Sequence, residues 1–245
     1  MTRHPQAENR KPLLRLCVPV AETTVKRARS LYGRAARRGF WTEIRLDYLE
    51  QPDLRRLFRT LPGKVIVTNR RREEGGRWQG LEAERRRLLE EALGFGVHFL
   101  DVELATDAGW RRELLARRHK TGLILSWHDF SGTPVNSVLE DILAEMLAAD
   151  ADIIKMVTWA AFPEDNLRVL SLIPRALAAH REIIAFCMGP LGKWSRVAAP
   201  FLGSFLSYAP FRASKGSAPG QIPVNDFRRI WRSLKYRSDA PAADG

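Results

Sequence analysis

Eight short runs rich in Val, Ile, Leu and aromatic residues recur along the chain, each separated from the next by a helix-like stretch. The runs are Leu13–Val20, Trp41–Tyr48, Lys64–Arg70, Phe99–Leu104, Gly122–His128, Ile153–Thr158, Glu182–Met188 and Ser204–Tyr208. Val135–Ala148, Pro163–Ala179 and Val224–Leu234 carry apolar residues at i, i+3 and i+4. Thr23–Arg38 opens on a capping Thr and stops at Gly39, and Gln79–Leu93 is dense in Glu, Arg and Leu. Asp53–Arg59, Asp107–Arg118 and Gly192–Leu202 are weaker helix candidates. Strands that alternate with helices form parallel sheets covered by those helices. Eight such units in 245 residues fit an α/β protein with a closed (β/α)8 architecture, the TIM barrel, as a single domain. A doubly wound open sheet is the alternative. It would show a glycine-rich turn after the first strand, and Pro19-Val20-Ala21-Glu22 is not one. Neither a linker nor a second domain is visible, and loose tails are expected at about 1–12 and 237–245.

The remaining composition narrows the classes. No apolar run reaches the ~20 residues that a membrane-spanning helix needs. The polar start, MTRHPQAENRKP, lacks the apolar segment of a secretory signal. Cys17 and Cys187 each sit in an apolar run, which suits two buried free thiols and a cytoplasmic protein. The formal net charge is +12. Its arginines are scattered over helix-like stretches and interleaved with Glu, which reads as solvated helix surface. No aromatic-interleaved basic strand or recognition helix supports a nucleic-acid partner.

Strand alternation gives the functional reading. Along a strand, successive side chains point to opposite faces. The apolar parity of the second run suits the helix layer, so Glu43, Arg45 and Asp47 are expected to point inward. The same parity collects Thr68 and Arg70, then Asp101 and Glu103, then Ser126 and His128, and finally Lys155. Unpaired buried charge costs several kcal/mol per ion. One such pair, Glu43 with Arg45 or Arg70, would read as structural; five strands of them read as an active site at the C-terminal mouth. Lys155, flanked by apolar residues, is expected to lose hydration, which favours a neutral, nucleophilic amine. Beside it, His128 fits a general acid/base. A carboxylate such as Glu74, in the loop after the third strand, would hold its tautomer and raise its basicity. The segment Met188–Arg196 provides a glycine-containing turn and then Arg196 for a carboxylate. Ser217-Ala218-Pro219-Gly220-Gln221 offers a tight turn in a loop able to close over a ligand. Metal ligation by Asp101, Glu103 and His128 is the competing chemistry; it ranks lower because Lys155 would repel the ion and no second strand-end His is present.

In this order the motifs resemble one family, the type I 3-dehydroquinate dehydratases. They are Glu43-Ile44-Arg45-Leu46-Asp47, Thr68-x-Arg70 through Glu74-Gly75-Gly76, Asp101-x-Glu103 and Ser126-Trp127-His128-Asp129-Phe130. Asp152-Ile153-Ile154-Lys155, Met188-Gly189 through Ser195-Arg196, and Ser217 through Gln221 complete the set. The resemblance implies a Schiff-base hydro-lyase of the shikimate pathway that turns 3-dehydroquinate into 3-dehydroshikimate without metal or organic cofactor. It implies that Lys155 forms the imine, His128 moves the protons and Glu74 orients His128. It further implies that Arg196 binds the substrate carboxylate, Glu43, Arg45 and Arg70 hold ring hydroxyls, and Ser217 and Gln221 belong to the lid. A homodimer with a small carboxylate substrate, no membrane and no nucleic acid completes what it implies. Another class I lyase or aldolase is the alternative enzyme reading, and an altered barrel binding anionic partners is the non-enzymatic one. The run after Lys155 departs from the family pattern, and its Trp159 could crowd the mouth.

Overall fold

The computed structural model describes residues 14–60, 62–213 and 216–234. In chain order they form β1 (Leu16–Val20), α1 (Val25–Arg37), β2 (Trp41–Arg45), α2 (Leu54–Leu57), β3 (Val65–Thr68), α3 (Glu82–Leu93) and β4 (Phe99–Glu103). There follow α4 (Ala108–Arg117), β5 (Gly122–Asp129), α5 (Asn136–Ala148), β6 (Ile153–Trp159), α6 (Asp165–Leu170), α7 (Leu172–Ala178) and β7 (Glu182–Met188). The last elements are α8 (Lys193–Ala198), β8 (Ser207–Tyr208) and α9 (Val224–Ser233). The strands are hydrogen-bonded in parallel in the order β7-β6-β5-β4-β3-β2-β1-β8. Across the remaining seam, the Phe205 amide donates to the Ile183 carbonyl at 2.7 Å. The fold is the (β/α)8 barrel that the alternation implies. The expected tails at 1–12 and 237–245 lie outside the described residues.

Strand parity divides the core into two layers. Ile44, Val65, Val67, Leu100 and Val102 point outward into the helix layer and are fully buried there. Trp41, Ile66, Ile124, Ile153 and Leu206 point inward and fill the N-terminal half of the barrel. Trp41 closes its floor, with ring centroids 5.7 Å from Phe99 and 5.4 Å from Phe205. Burying each such side chain contributes roughly 1.5–3 kcal/mol. The floor is therefore apolar and rigid, and polar inward residues appear only one step further along each strand. Among the described residues, no helix is long and apolar enough to cross a membrane.

Some boundaries differ from the sequence expectation for local reasons. The second strand stops at Arg45, and Leu46–Tyr48 form a 3-10 turn. Asp47 therefore does not line the barrel. Its carboxylate receives Arg45 at 2.8 and 2.7 Å and the amides of Arg70 and Arg77 at 3.3 and 2.9 Å. The stretch Pro163–Ala179 is two helices, α6 and α7, joined at Ser171. Pro174 explains the break: it has no N–H for the Leu170 carbonyl, and its ring crowds the preceding turn. The eighth strand is only Ser207–Tyr208.

Candidate active site

Continuing each inward row past the floor gives Glu43 and Arg45 on β2, Thr68 on β3, Asp101 and Glu103 on β4, Ser126 and His128 on β5, and Lys155 on β6. Thr68 stands opposite Asp101 in the register, and Ser126 opposite Lys155. These polar ends and the loops beyond them surround a cavity of about 450 Å³. The nine side chains to which the family resemblance gives a role all line it: Glu43, Arg45, Arg70, Glu74, His128, Lys155, Arg196, Ser217 and Gln221. Gly75, Phe130, Val157, Phe186, Met188, Tyr208 and Ala218 complete the wall.

Lys155 is not the lone amine in apolar surroundings that its strand suggests. It is 5% exposed, and its Nζ lies 2.9 Å from Asp101 Oδ2 and 3.4 Å from Glu43 Oε1. It also sits 4.7 Å from the ring centroid of Tyr208. Asp101 is the hub of this wall. Burial pushes its carboxyl up, but Arg70 at 2.6 Å, then Lys155, His128 and the Ser126 hydroxyl outweigh burial and hold it well below the usual carboxylate range. Arg70 also contacts Glu103 at 3.1 Å and Ser126 at 2.6 Å. Burial would lower its pKa, but Asp101, Glu103, Glu74 and Glu43 together raise it. Glu103 is in turn held by the buried Arg85 at 2.8 Å. Asp101, Glu103 and His128 are thus spoken for by cations and by Glu74 rather than converging on a metal. Among the described residues no group of three His, Cys, Asp or Glu side chains has that geometry.

His128 Nδ1 lies 2.9 Å from Glu74 Oε2. Glu74 ends a 3-10 turn, Arg72–Glu74, whose next residue is Gly75 at φ +76°. A side chain there would also strike the Phe130 ring, 2.2 Å from where its Cβ would stand, so glycine lets Phe130 cover the pair. Burial pushes Glu74 up to about 7, with Glu103 and Asp101 adding to the rise against Arg70. The expectation that a carboxylate raises the basicity of His128 does not hold. Burial first, then Arg70 and Lys155, outweigh Asp101 and take the imidazole well below its ordinary value. At neutral pH it is an uncharged base.

The opposite wall, from β7 and β8, is apolar: Phe186, Met188 and Tyr208. Arg196 on α8 overhangs it. Ser195 fixes this helix by accepting from the Cys187 amide at 2.9 Å and donating to the Gly192 carbonyl at 2.7 Å. Arg196 is 1% exposed and its guanidinium carbon lies 4.4 Å from the Phe186 centroid. It donates to the Pro219 carbonyl at 3.0 Å, its Nε has no partner, and no carboxylate among the described residues pairs with it. Burial pushes it down to about 9, which still leaves it charged at pH 7. Pro219 also accepts from the Gly189 amide at 3.4 Å, which ties the lid to the end of β7. Gly220, at φ +80°, is required there because a Cβ would stand 2.4 Å from the Gly189 carbonyl oxygen. Ser217 and Gln221 clasp each other across the lid turn at 2.9 and 3.3 Å. Trp159 packs on Gly189 and is not among the cavity-lining side chains.

Sequence reasoning passed over Phe186, Met188 and Tyr208, which read as ordinary apolar strand residues. The signal was available in their parity, which is that of Ile184 and Leu206 in the barrel floor.

Fold and cavity together define a class: a (β/α)8 barrel whose C-terminal mouth presents a buried amine, a neutral imidazole and an unpaired guanidinium. Within it the family is clear. The family model described as type I 3-dehydroquinase matches residues 16–238, and the chain belongs to that family, a hydro-lyase family of the Schiff-base class. It is 36% identical over 192 residues to the 3-dehydroquinate dehydratase of Desulfotalea psychrophila, covering 77% of this chain and 84% of the relative. It is 32% identical over 226 residues to that of Methanocaldococcus jannaschii, covering 91% and 100%. The crystal structure of 3-dehydroquinate dehydratase from Geobacillus kaustophilus superposes with a TM-score of 0.81 at 28% identity, covering 92% of each chain.

Proposed function

We propose that this protein dehydrates 3-dehydroquinate to 3-dehydroshikimate through an imine on Lys155. The observation that carries the reading is the pairing of opposite walls around one cavity. A saturated charge network surrounds Lys155 and His128, and a lone guanidinium faces them with no partner anion. A small ring bearing a ketone and a carboxylate satisfies both. Arg196 binds the carboxylate, and Glu43, Arg45 and Arg70 face the ring hydroxyls. Ser217 and Gln221 close the lid over them.

Each step uses a group already in position. His128 takes a proton from Lys155 Nζ, the free amine attacks the C3 carbonyl, and His128 returns the proton to the carbinolamine oxygen, which leaves as water and gives a protonated imine. Glu74 occupies His128 Nδ1, so Nε2 takes the proton from C2. The C–H electrons pass into the imine, giving an enamine. They return to expel the C1 oxygen, which takes the proton from His128 and departs as water. Hydrolysis of the imine frees the product and the amine. Asp101 and Glu43 keep Nζ on station throughout, a positioning that avoids reorganisation during the reaction. The residues supply every proton transfer, so no cofactor is part of this reading.

The reading also carries a homodimer and a cytoplasmic location. Phe162, Leu167, Leu191 and Trp194 are exposed around α6 and the turn before α8, an apolar surface that a second copy would cover. Both buried cysteines are free thiols, as suits a reducing compartment.

Borohydride added with 3-dehydroquinate is expected to leave a reduced adduct on Lys155 by peptide mass. In a parallel sample, ultraviolet absorbance reports the conjugated enone of the product. An unmodified Lys155 in folded, substrate-saturated protein overturns the imine. An adduct without enone points instead to carbon–carbon cleavage by an aldolase.

A further inference from the structure

The phenol of Tyr208 has no evident business in the resting protein. The residue is 3% exposed, lines the cavity, and its hydroxyl makes no hydrogen bond among the described residues. An unsatisfied buried hydroxyl costs free energy that the same ring without oxygen would avoid. Such an atom is explained when a ligand supplies its partner. Of the strand residues on this wall, Phe186 and Met188 bring no polar hydrogen, and the Arg196 guanidinium above them is assigned to the substrate carboxylate.

The ring's position says which ligand atom it meets. Lys155 Nζ lies 4.7 Å from the face of Tyr208. Phe186 stands edge-on to Tyr208 with centroids 6.1 Å apart, and it carries Arg196 on its own face at 4.4 Å. Tyr208 therefore occupies the span of wall between the amine and the guanidinium. In the proposed substrate the ketone carbon bonded by Lys155 is C3 and the carboxylate held by Arg196 is on C1, with C2 between them. The remaining oxygen at the Arg196 end is the C1 hydroxyl, the group that leaves.

Resting on the proposed function above, we infer that Tyr208 is a further catalytic residue, its phenol donating a hydrogen bond to the departing C1 oxygen. No proton is transferred from it. The C1–O bond breaks, the enamine electrons form the C1–C2 double bond, His128 delivers the proton, and Tyr208 keeps its own while stabilising the charge that builds on oxygen. A group in this role has to stay protonated. Burial, then Glu43, Cys17 and Asp101, raise Tyr208 well above the ordinary phenol value.

Tyr208→Phe deletes the one oxygen. It breaks no hydrogen bond within the protein, so its melting temperature is expected to be at or above that of the wild type. We expect kcat to fall about tenfold with KM changed less than about twofold, and borohydride trapping of the imine to keep its wild-type rate. The kcat–KM split and the trapping rate separate this role from a structural one. If wild type turns over and Tyr208→Phe matches it in kcat, the inference falls alone. A rise confined to KM also overturns it, because the phenol would then serve the carboxylate or a ring hydroxyl. A wild type that neither turns over nor forms the adduct removes the proposed function itself.

Discussion

Arg70 and Arg196 are both buried at the mouth of one barrel, on opposite walls, under opposite electrical conditions. Arg70 touches Asp101, Glu103 and Ser126 within 3.1 Å and has Glu74 at 4.0 Å. Arg196 has a carbonyl, an aromatic face and an unpartnered nitrogen. The first arginine is consumed in holding its wall together; the second is held ready for something absent. One wall thus fixes the amine and the imidazole, and the other waits for the ligand's charge. Arg70 lines the cavity, where the proposed substrate would present its ring hydroxyls, and it also carries part of the wall's own charge balance. Its fork is already occupied by Asp101, Glu103 and Ser126; its charge helps hold Asp101 ionised and, after burial, helps keep His128 neutral.

The largest effects test the charged wall. Lys155→Ala is expected to abolish both the trapped adduct and turnover, leaving no more than the background rate. His128→Ala is expected to lower kcat by roughly 10²–10⁴-fold while imine trapping persists, because the amine and its carboxylates are untouched. Normal turnover in His128→Ala would remove the acid/base assignment and leave the two walls without a division of labour.

Replacing each arginine by Met sharpens the contrast directly. Arg70→Met strands Asp101 and Glu103 without their main counter-charge, and stability is expected to drop by about 3–5 kcal/mol in denaturant titration. Arg196→Met removes a buried charge that no carboxylate offsets. Stability is expected to stay level or rise by about 1 kcal/mol, while KM for a carboxylate substrate rises at least about tenfold. Equal losses of stability in the two variants would show that Arg196 is structural after all.

How far this contrast was legible in the sequence depends on which link it lives on. Parity along single strands was enough to bring Glu43, Lys155 and His128 into one barrel mouth. It needed no knowledge of the neighbouring strands, and the apolar floor below follows from the same rule. Which carboxylate meets Lys155 was not readable. Asp101 and Lys155 are 54 positions apart and lie on strands separated by β5, so their approach depends on the stagger between ladders. Tyr208 was missed because an aromatic residue on a short strand looks like core until its hydroxyl is seen to lack a partner. The direction at His128 was misread because a lone carboxylate was weighed without the burial and the two cations around it.

The smallest effect concerns Glu74, the carboxyl of the charged wall that burial pushes up. Its value in the folded protein, about 7, is above the 4.5 of the free side chain. A raised acid binds its proton more tightly in the folded state. Its contribution to stability is therefore fully present below about pH 4.5 and is lost as pH rises through 7. Glu74→Gln keeps a neutral side chain at every pH. Relative to wild type, the variant is expected to gain about 2 kcal/mol between pH 5 and pH 8, read from denaturant midpoints. His128, whose shift runs the other way, is present in both proteins and largely cancels in that difference. Catalysis should move oppositely: the ionised carboxylate orients His128, so wild-type activity rises through pH 7, and in Glu74→Gln that limb disappears at a lower plateau. A pH-independent stability difference would mean that Glu74 is ionised in the resting site, held by Arg70 as firmly as Asp101 is, and the gradient across the charged wall would be gone.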